Sequence, residues 1–238
     1  MTRAEWERLA SKGNVASSHP PTLTTPVYVI RHGQTLSNLR RRYAGREPEP
    51  LTMAGRQESD RMADHLRGAG LGTVWTSGIT RARETATILS SALEIPLRVD
   101  IRLDEMLLGP WEGLTEDEIA RQYPREFEVW NTRPDLLRLS GRETLEEVAS
   151  RVTPVLRDAA SQTEAVLLVT HVAVIRALTL GVLGLELSAY KSLAVPNVSC
   201  MRIDVVARQV VRIPGHEAVF MEMGASRESG RAGVRHPC

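Results

Sequence analysis

Two histidines in this 238-residue chain directly follow runs that read as buried strands. "VYVIRHG" sets Arg31, His32 and Gly33 behind the apolar Val27–Ile30, and "AVLLVTHV" sets His171 and Val172 behind residues 165–170. In open α/β sheets, ligands bind beyond the carboxyl ends of strands. A third stretch, "TSGITRARETA", ends a strand at Ser77 and opens a helix with Arg81 and Arg83. Burying guanidinium and imidazole groups is costly without a partner. A phosphoryl group suits these residue types. Arginine grips it in bidentate fashion, and a neutral histidine nitrogen can attack phosphorus and form a phosphohistidine. A second histidine and two arginines would stabilise charge on the equatorial oxygens. "RLDEMLLGPWEGL" offers Glu105 beside Met106, Leu107 and Leu108. Such surroundings raise a carboxyl pKa, as a general acid requires. Taken alone, that stretch is better read as an ordinary surface carboxylate. Histidines 19, 65, 216 and 236 lie in tails or on a helix face and read as solvated.

Strands and helices must alternate to position these groups, and the pattern does so. Strands are predicted at 27–30, 73–77, 96–100, 165–170, 199–206 and 209–213. Helices are predicted at 53–66 with Thr52 as N-cap, at 81–93 and over 173–184. Two more begin at the capping boxes "TEDE" (115–118) and "TLEE" (144–147). This alternation points to a three-layer α/β domain. An apolar content of 42% and a charged content of 25% fit one sizeable core or two small ones. The net charge of +1 gives no long-range pull toward nucleic acid or anionic lipid. Residues 1–25 read as a flexible polar extension with a short helix near Trp6, residues 26–214 as the domain, and residues 215–238 as a partly disordered tail. The start of the chain has no apolar h-region and no run is long enough to span a bilayer. Cys200 and Cys238 suggest neither a disulfide framework nor a metal cluster. A cytoplasmic, reduced setting is expected.

Five stretches, taken in order from about Pro26 to Val206, resemble motifs of the histidine phosphatase superfamily, which includes the cofactor-dependent phosphoglycerate mutases. They are "RHGQTLSN", "TSGITRARETA", "LDEMLLGPWEGL", "VTHVAVIRAL" and "VPNVSC". The resemblance implies an αβα sandwich with a central, mostly parallel sheet and a small helical cap at about 106–150. It implies His32 as nucleophile, with Arg31, Arg81 and His171 lining the phosphate pocket and Asn38 supporting it. Glu105 would donate a proton and then activate water. Gly33 and the backbone of Val172 would also face the substrate. No cofactor or metal is implied. The partner would be a small phosphorylated metabolite rather than nucleic acid or membrane, and the protein would be a monomer or homodimer.

Within that family, three departures favour hydrolysis over isomerisation. Ala44-Gly45 stands where mutases carry Ser-Gly or Thr-Gly, Met106 and Leu108 stand where they carry arginine and tyrosine, and the short cap lacks their basic pair. Mutase activity is the alternative. A non-catalytic module that binds phospho-ligands or a protein is a third reading, opposed by the presence of His32, Glu105 and His171. The five cap arginines (121, 125, 133, 138 and 142) face ten acidic residues between Met106 and Ser150 and are expected on solvated helix faces. Arg40, Arg41, Arg42 and Arg46 either flank the pocket as readers of a second anionic group or form a charged helix end. Met106–Leu108 either face an apolar substrate body or pack under the cap. Sugar phosphates, α-ribazole phosphate and glycosylated phosphoglycerate all remain open as substrates.

Overall fold

Alternation along strand β1 (Val27–Arg31) divides the core in two. Val27 and Val29 pack with Val152, Val155 and Leu178 on one face of the sheet. Tyr28 and Ile30 pack with Met62, Leu66, Ala82 and Leu89 on the other. The computed structural model describes residues 25–213. The predicted helix near Trp6, the tail from residue 215, histidines 19, 216 and 236, and Cys238 lie outside the described residues.

Among the described residues the sheet has six strands in the order β3 (Leu97–Val99), β2 (Leu71–Thr76), β4 (Ala165–Thr170), β1, β5 (Cys200–Asp204) and β6 (Gln209–Arg212). The first four run parallel, β5 pairs antiparallel with β1, and β6 pairs antiparallel with β5. The sheet is therefore mostly parallel, as expected. Helices α2 (Met53–Leu66) and α3 (Thr80–Leu93) cover one face. Helices α6 (Leu145–Ala160) and α7 (Val172–Leu183) cover the other. Their starts are encoded locally. The Thr52 hydroxyl accepts from the Gly55 amide at 3.0 Å, and Thr144 forms the predicted capping box with Glu147. Such a cap contributes roughly 1 kcal/mol. Burial on several sides explains why α7 is apolar almost all round.

Between Glu105 and α6 the chain forms a small helical layer with α4 (Glu116–Gln122) and α5 (Pro124–Thr132). The Thr115/Glu118 box opens α4 as predicted. Its interior is aromatic, with edge contacts from Tyr43 to Trp111 and from Trp111 to Trp130. One expectation fails here. Arg142 is not on a solvated face but buried, its guanidinium 4.5 Å from the Trp130 ring centroid and 5.3 Å from that of Trp111. The ring faces offset its desolvation. Met106 and Leu108 pack into the core under the cap, while Leu107 is exposed.

Two helices escape sequence periodicity. α1 (Leu36–Leu39) is closed by a reciprocal bond pair between Thr35 and Asn38, and α5 buries only Trp130. The strands also differ slightly from expectation. β1 runs on through Arg31, whose amide donates to Ser199 O. β5 stops at Asp204, whose carboxylate accepts from the Ala207 amide and turns the chain toward β6. No helix among the described residues is long and apolar enough to cross a membrane.

Candidate active site

Parallel pairing brings the two histidines to one level. Ile30 lies opposite Val169 and Arg31 opposite Thr170, and the His32 amide donates to Thr170 O at 3.0 Å. His32 and His171 therefore leave neighbouring strands side by side, with ring centroids 5.1 Å apart. β2, on the far side of β4, ends beside them and delivers Ser77, whose amide donates to Val169 O. The first turn of α3 brings Arg81 to His32. Glu105 arrives from the turn after β3, which the Thr170 hydroxyl ties to β4 by donating to Leu103 O at 2.6 Å.

Hydrogen-bond logic fixes the tautomers. His32 Nδ1 lies 2.8 Å from Gly33 O, which can only accept, so Nδ1 carries the proton. Nε2 then holds the lone pair and accepts from Arg81 Nε at 3.2 Å. Burial holds the His32 pKa well below its ordinary value, reinforced by the charges of Arg31 and Arg81. The Ser77 hydroxyl donates to Asp104 Oδ1 at 2.7 Å. Its oxygen must therefore accept from His171 Nε2, 2.9 Å away. His171 Nδ1 is buried and has no hydrogen-bond partner among the described residues. The pKa of His171 is also held low, first by burial and then by Arg81 and His32.

The arginines are gripped by carbonyls rather than carboxylates. Arg81 donates to Gly45 O at 2.6 Å, to Ala44 O at 3.2 Å and to Glu47 O at 3.3 Å. The Glu112 carboxylate, accepting from the Gly45 amide at 2.6 Å, holds that loop in place. Arg31 donates to Val195 O at 2.7 Å, while its Nε is buried without a partner among the described residues. Among the described residues neither guanidinium has an ion pair, and burial lowers the Arg31 pKa to about 10. Glu105 is buried and accepts from the amides of Met106 (2.8 Å) and Ala173 (3.3 Å). Burial raises its pKa against the opposing pull of the Met106 amide and of Arg81 and Arg31.

The remaining candidates stand one step back. Asn38 Oδ1 accepts from Asn197 Nδ2 at 2.9 Å, and the same nitrogen donates to His32 O at 3.0 Å. The Gly33 amide donates to Thr85 Oγ1. A Cβ on Gly33 would meet Gly55 O at 2.5 Å, so the histidine loop and α2 touch backbone to backbone. Val172 opens α7, but the amide that reaches Glu105 belongs to Ala173. Sequence reasoning missed Ser77, Asp104, Asn197 and Glu112. All four lie inside motifs already singled out, but nothing in the sequence joins Asp104 to its hydroxyl partner 27 positions away. Among the described residues no group of three or more His, Cys, Asp or Glu side chains is placed to hold a metal ion.

Chemically, a neutral imidazole nitrogen, two guanidiniums without an ion pair among the described residues and a carboxyl held toward its protonated form converge on one spot. The set can bind a tetrahedral dianion, attack it and protonate a leaving oxygen. Comparison with known proteins points the same way. The family model described as histidine phosphatase superfamily (branch 1) matches residues 27–212. The chain is 31% identical over 186 residues to the "Probable phosphoglycerate mutase GpmB" of Salmonella typhi, covering 75% of this chain and 84% of that protein. It is 26% identical over 185 residues to "Phosphoserine phosphatase 1" of Hydrogenobacter thermophilus, covering 77% and 88%. The structure of a mycobacterial glucosyl-3-phosphoglycerate phosphatase in complex with VO3 superposes with a TM-score of 0.69 at 28% identity, covering 76% and 91%.

Proposed function

The chain belongs to branch 1 of the histidine phosphatase superfamily, and on that premise we propose that it is a metal-independent phosphomonoesterase acting on a small phosphorylated metabolite through a phosphohistidine. The observation that carries this reading is the pair of guanidiniums, buried Arg81 and half-buried Arg31, that have no ion-pair partner among the described residues and stand beside His32, whose pKa burial holds low. A buried cation without an anion is costly, and a phosphoryl dianion removes that cost. His32 Nε2 attacks phosphorus, and Arg81 Nε transfers its hydrogen bond from the imidazole to a phosphoryl oxygen. The bond from phosphorus to the ester oxygen breaks as Glu105 protonates that oxygen. The Glu105 carboxylate then takes a proton from water, whose oxygen attacks phosphorus. Inorganic phosphate leaves and His32 is restored. Arg31, Arg81 and His171 hold the equatorial oxygens, which supplies the positive charge without a metal. Asn38 acts through Asn197 on the His32 loop.

The relatives named phosphoserine phosphatase and glucosyl-3-phosphoglycerate phosphatase support a small phosphorylated metabolite as substrate. The relative named a probable phosphoglycerate mutase keeps isomerisation as the second reading. Both are tested by one screen of phosphomonoesters that includes 3-phosphoglycerate with its bisphosphate. Release of inorganic phosphate is expected, inhibited by vanadate in competition with substrate and indifferent to chelators. Isomerisation without phosphate release would favour the mutase, and chelator-sensitive turnover restored by Mg²⁺ would refute the metal-free mechanism.

A further inference from the structure

We infer that the substrate carries a second anionic group, a carboxylate or a second phosphate, bound by Arg40 and Arg41 at the mouth of the site; this rests on the phosphomonoesterase reading above. A cavity of about 680 Å³ opens beside Arg31 and Asn38, and Arg40 and Arg41 line it further out. No aliphatic side chain lines it, so it suits a hydrophilic substrate body. The four arginines that follow Asn38 divide cleanly. Arg42 is committed to Gly113 O at 2.6 Å and Glu118 at 3.0 Å. Arg46 is committed to Glu105 O at 2.8 Å and Glu143 at 3.0 Å. The Arg40 and Arg41 side chains have no hydrogen bond or ion pair among the described residues.

Backbone geometry adds a second observation. Arg41 has φ +53°, in the left-handed region where glycine and asparagine are at ease. The turn closes α1, with the Arg42 amide donating to Ser37 O at 2.9 Å, and fixes where the Arg40 and Arg41 side chains leave the chain. The facing wall carries Glu116 and Asp117. Glu116 accepts from the Tyr43 hydroxyl at 3.0 Å. That wall repels an anion, so a second negative group on a substrate held by Arg31 is directed to the arginine side.

Two matched substrate pairs test the inference. 3-Phosphoglycerate and sn-glycerol 3-phosphate differ by a carboxylate against a hydroxymethyl group. Glucose 1,6-bisphosphate and glucose 6-phosphate differ by the second phosphate. At low ionic strength kcat/KM should favour the anion-bearing member of at least one pair by about tenfold. The double variant R40Q/R41Q should erase most of that ratio through KM, and R40K/R41K should retain more of it. Both positions are exposed, and thermal unfolding checks that the variants fold. Ratios near one in the wild type, or a ratio unmoved in R40Q/R41Q, would overturn the inference alone. No turnover of these four compounds or of p-nitrophenyl phosphate would overturn the phosphomonoesterase reading and this one with it. A preference for O-phosphoserine over 3-phosphoglycerate that vanishes in E116Q/D117N, with the arginine variant indifferent, would make the acidic wall the reader and overturn the proposal.

Discussion

The floor of the site and its mouth use arginine under opposite conditions. Arg31 and Arg81 on the floor are held by the carbonyls of Val195, Ala44, Gly45 and Glu47 and stand against buried imidazole. Arg40 and Arg41 at the mouth line an open cavity and touch no fixed partner among the described residues. The difference follows from desolvation. A buried cation must be oriented by the fold because misplacement leaves it uncompensated, whereas an exposed one costs little wherever it points. The floor therefore suits what every phosphomonoester shares, and the mouth suits what distinguishes one from another.

If chemistry resides on the floor, His32→Ala should have the largest effect. Turnover should fall by on the order of 10³-fold or more, and the acid-labile, base-stable phosphate trapped by rapid quenching should disappear. Equal labelling in the variant would remove His32 from the mechanism. Glu105→Gln comes next. The phosphorylation step should slow about 10²–10⁴-fold with an alkyl phosphate and much less with p-nitrophenyl phosphate, whose leaving group departs without a proton. Burst kinetics must separate the steps, because water activation should slow for both substrates alike. Equal losses in the first step would make Glu105 a structural or substrate-binding group. Arg81→Gln should cost about 10²–10³-fold in kcat with every substrate alike. A substrate-dependent loss would erase the distinction between floor and mouth.

Smaller effects sharpen the contrast. Asp104→Asn removes a negative charge two hydrogen bonds from His171, at Ser77. We expect kcat/KM to fall about tenfold, because a neutral amide holds the Ser77 hydroxyl that faces His171 less firmly than a carboxylate does. An unchanged kcat/KM would confine Asp104 to holding the Gly78 amide, from which it accepts at 2.7 Å. The smallest effect concerns stability. The folded pKa values of His32 and His171 are depressed by burial, so the unfolded chain binds protons below about 6.5 that the fold refuses. Stability should fall as pH drops through that range, by up to ~1.4 kcal/mol per pH unit for each histidine. Glu105 has the opposite sign. Its raised pKa loses stability as pH rises from about 4.5 through its folded value. Thermal unfolding between pH 5 and 6.5 should therefore show a shallower acid loss in His171→Ala and a steeper one in Glu105→Gln.

Much of this floor was legible in the sequence, for a physical reason. Strand-end positions are announced by the apolar run before them, so His32 and His171 could be placed at one sheet edge before their distance was known. The starts of α2, α4 and α6 were equally plain, because a capping threonine and its partner lie within four residues of one another. Groups whose partners lie far along the chain were not legible. Asp104 meets Ser77, Asn197 meets Asn38 across 159 positions, and Arg142 finds two tryptophans inside the cap. Composition made Arg142 look solvated, because counting charges cannot tell an exposed cation from one stacked on aromatic rings. The same count could not separate Arg42 and Arg46, consumed by carboxylates, from Arg40 and Arg41.

The close approach of Gly33 to Gly55 limits how such a site can diversify. A Cβ on Gly33 would strike the carbonyl oxygen of Gly55, and one on Gly55 would lie 2.3 Å from the carbonyl oxygen of Gln34. Backbone faces backbone on both sides, so no side chain can swing aside to make room. In a library randomised at both positions, selection for turnover should return glycine at each, whatever the selecting substrate. Re-targeting the enzyme by directed evolution would then leave the histidine loop and its helix untouched and draw its useful variation from the cavity rim.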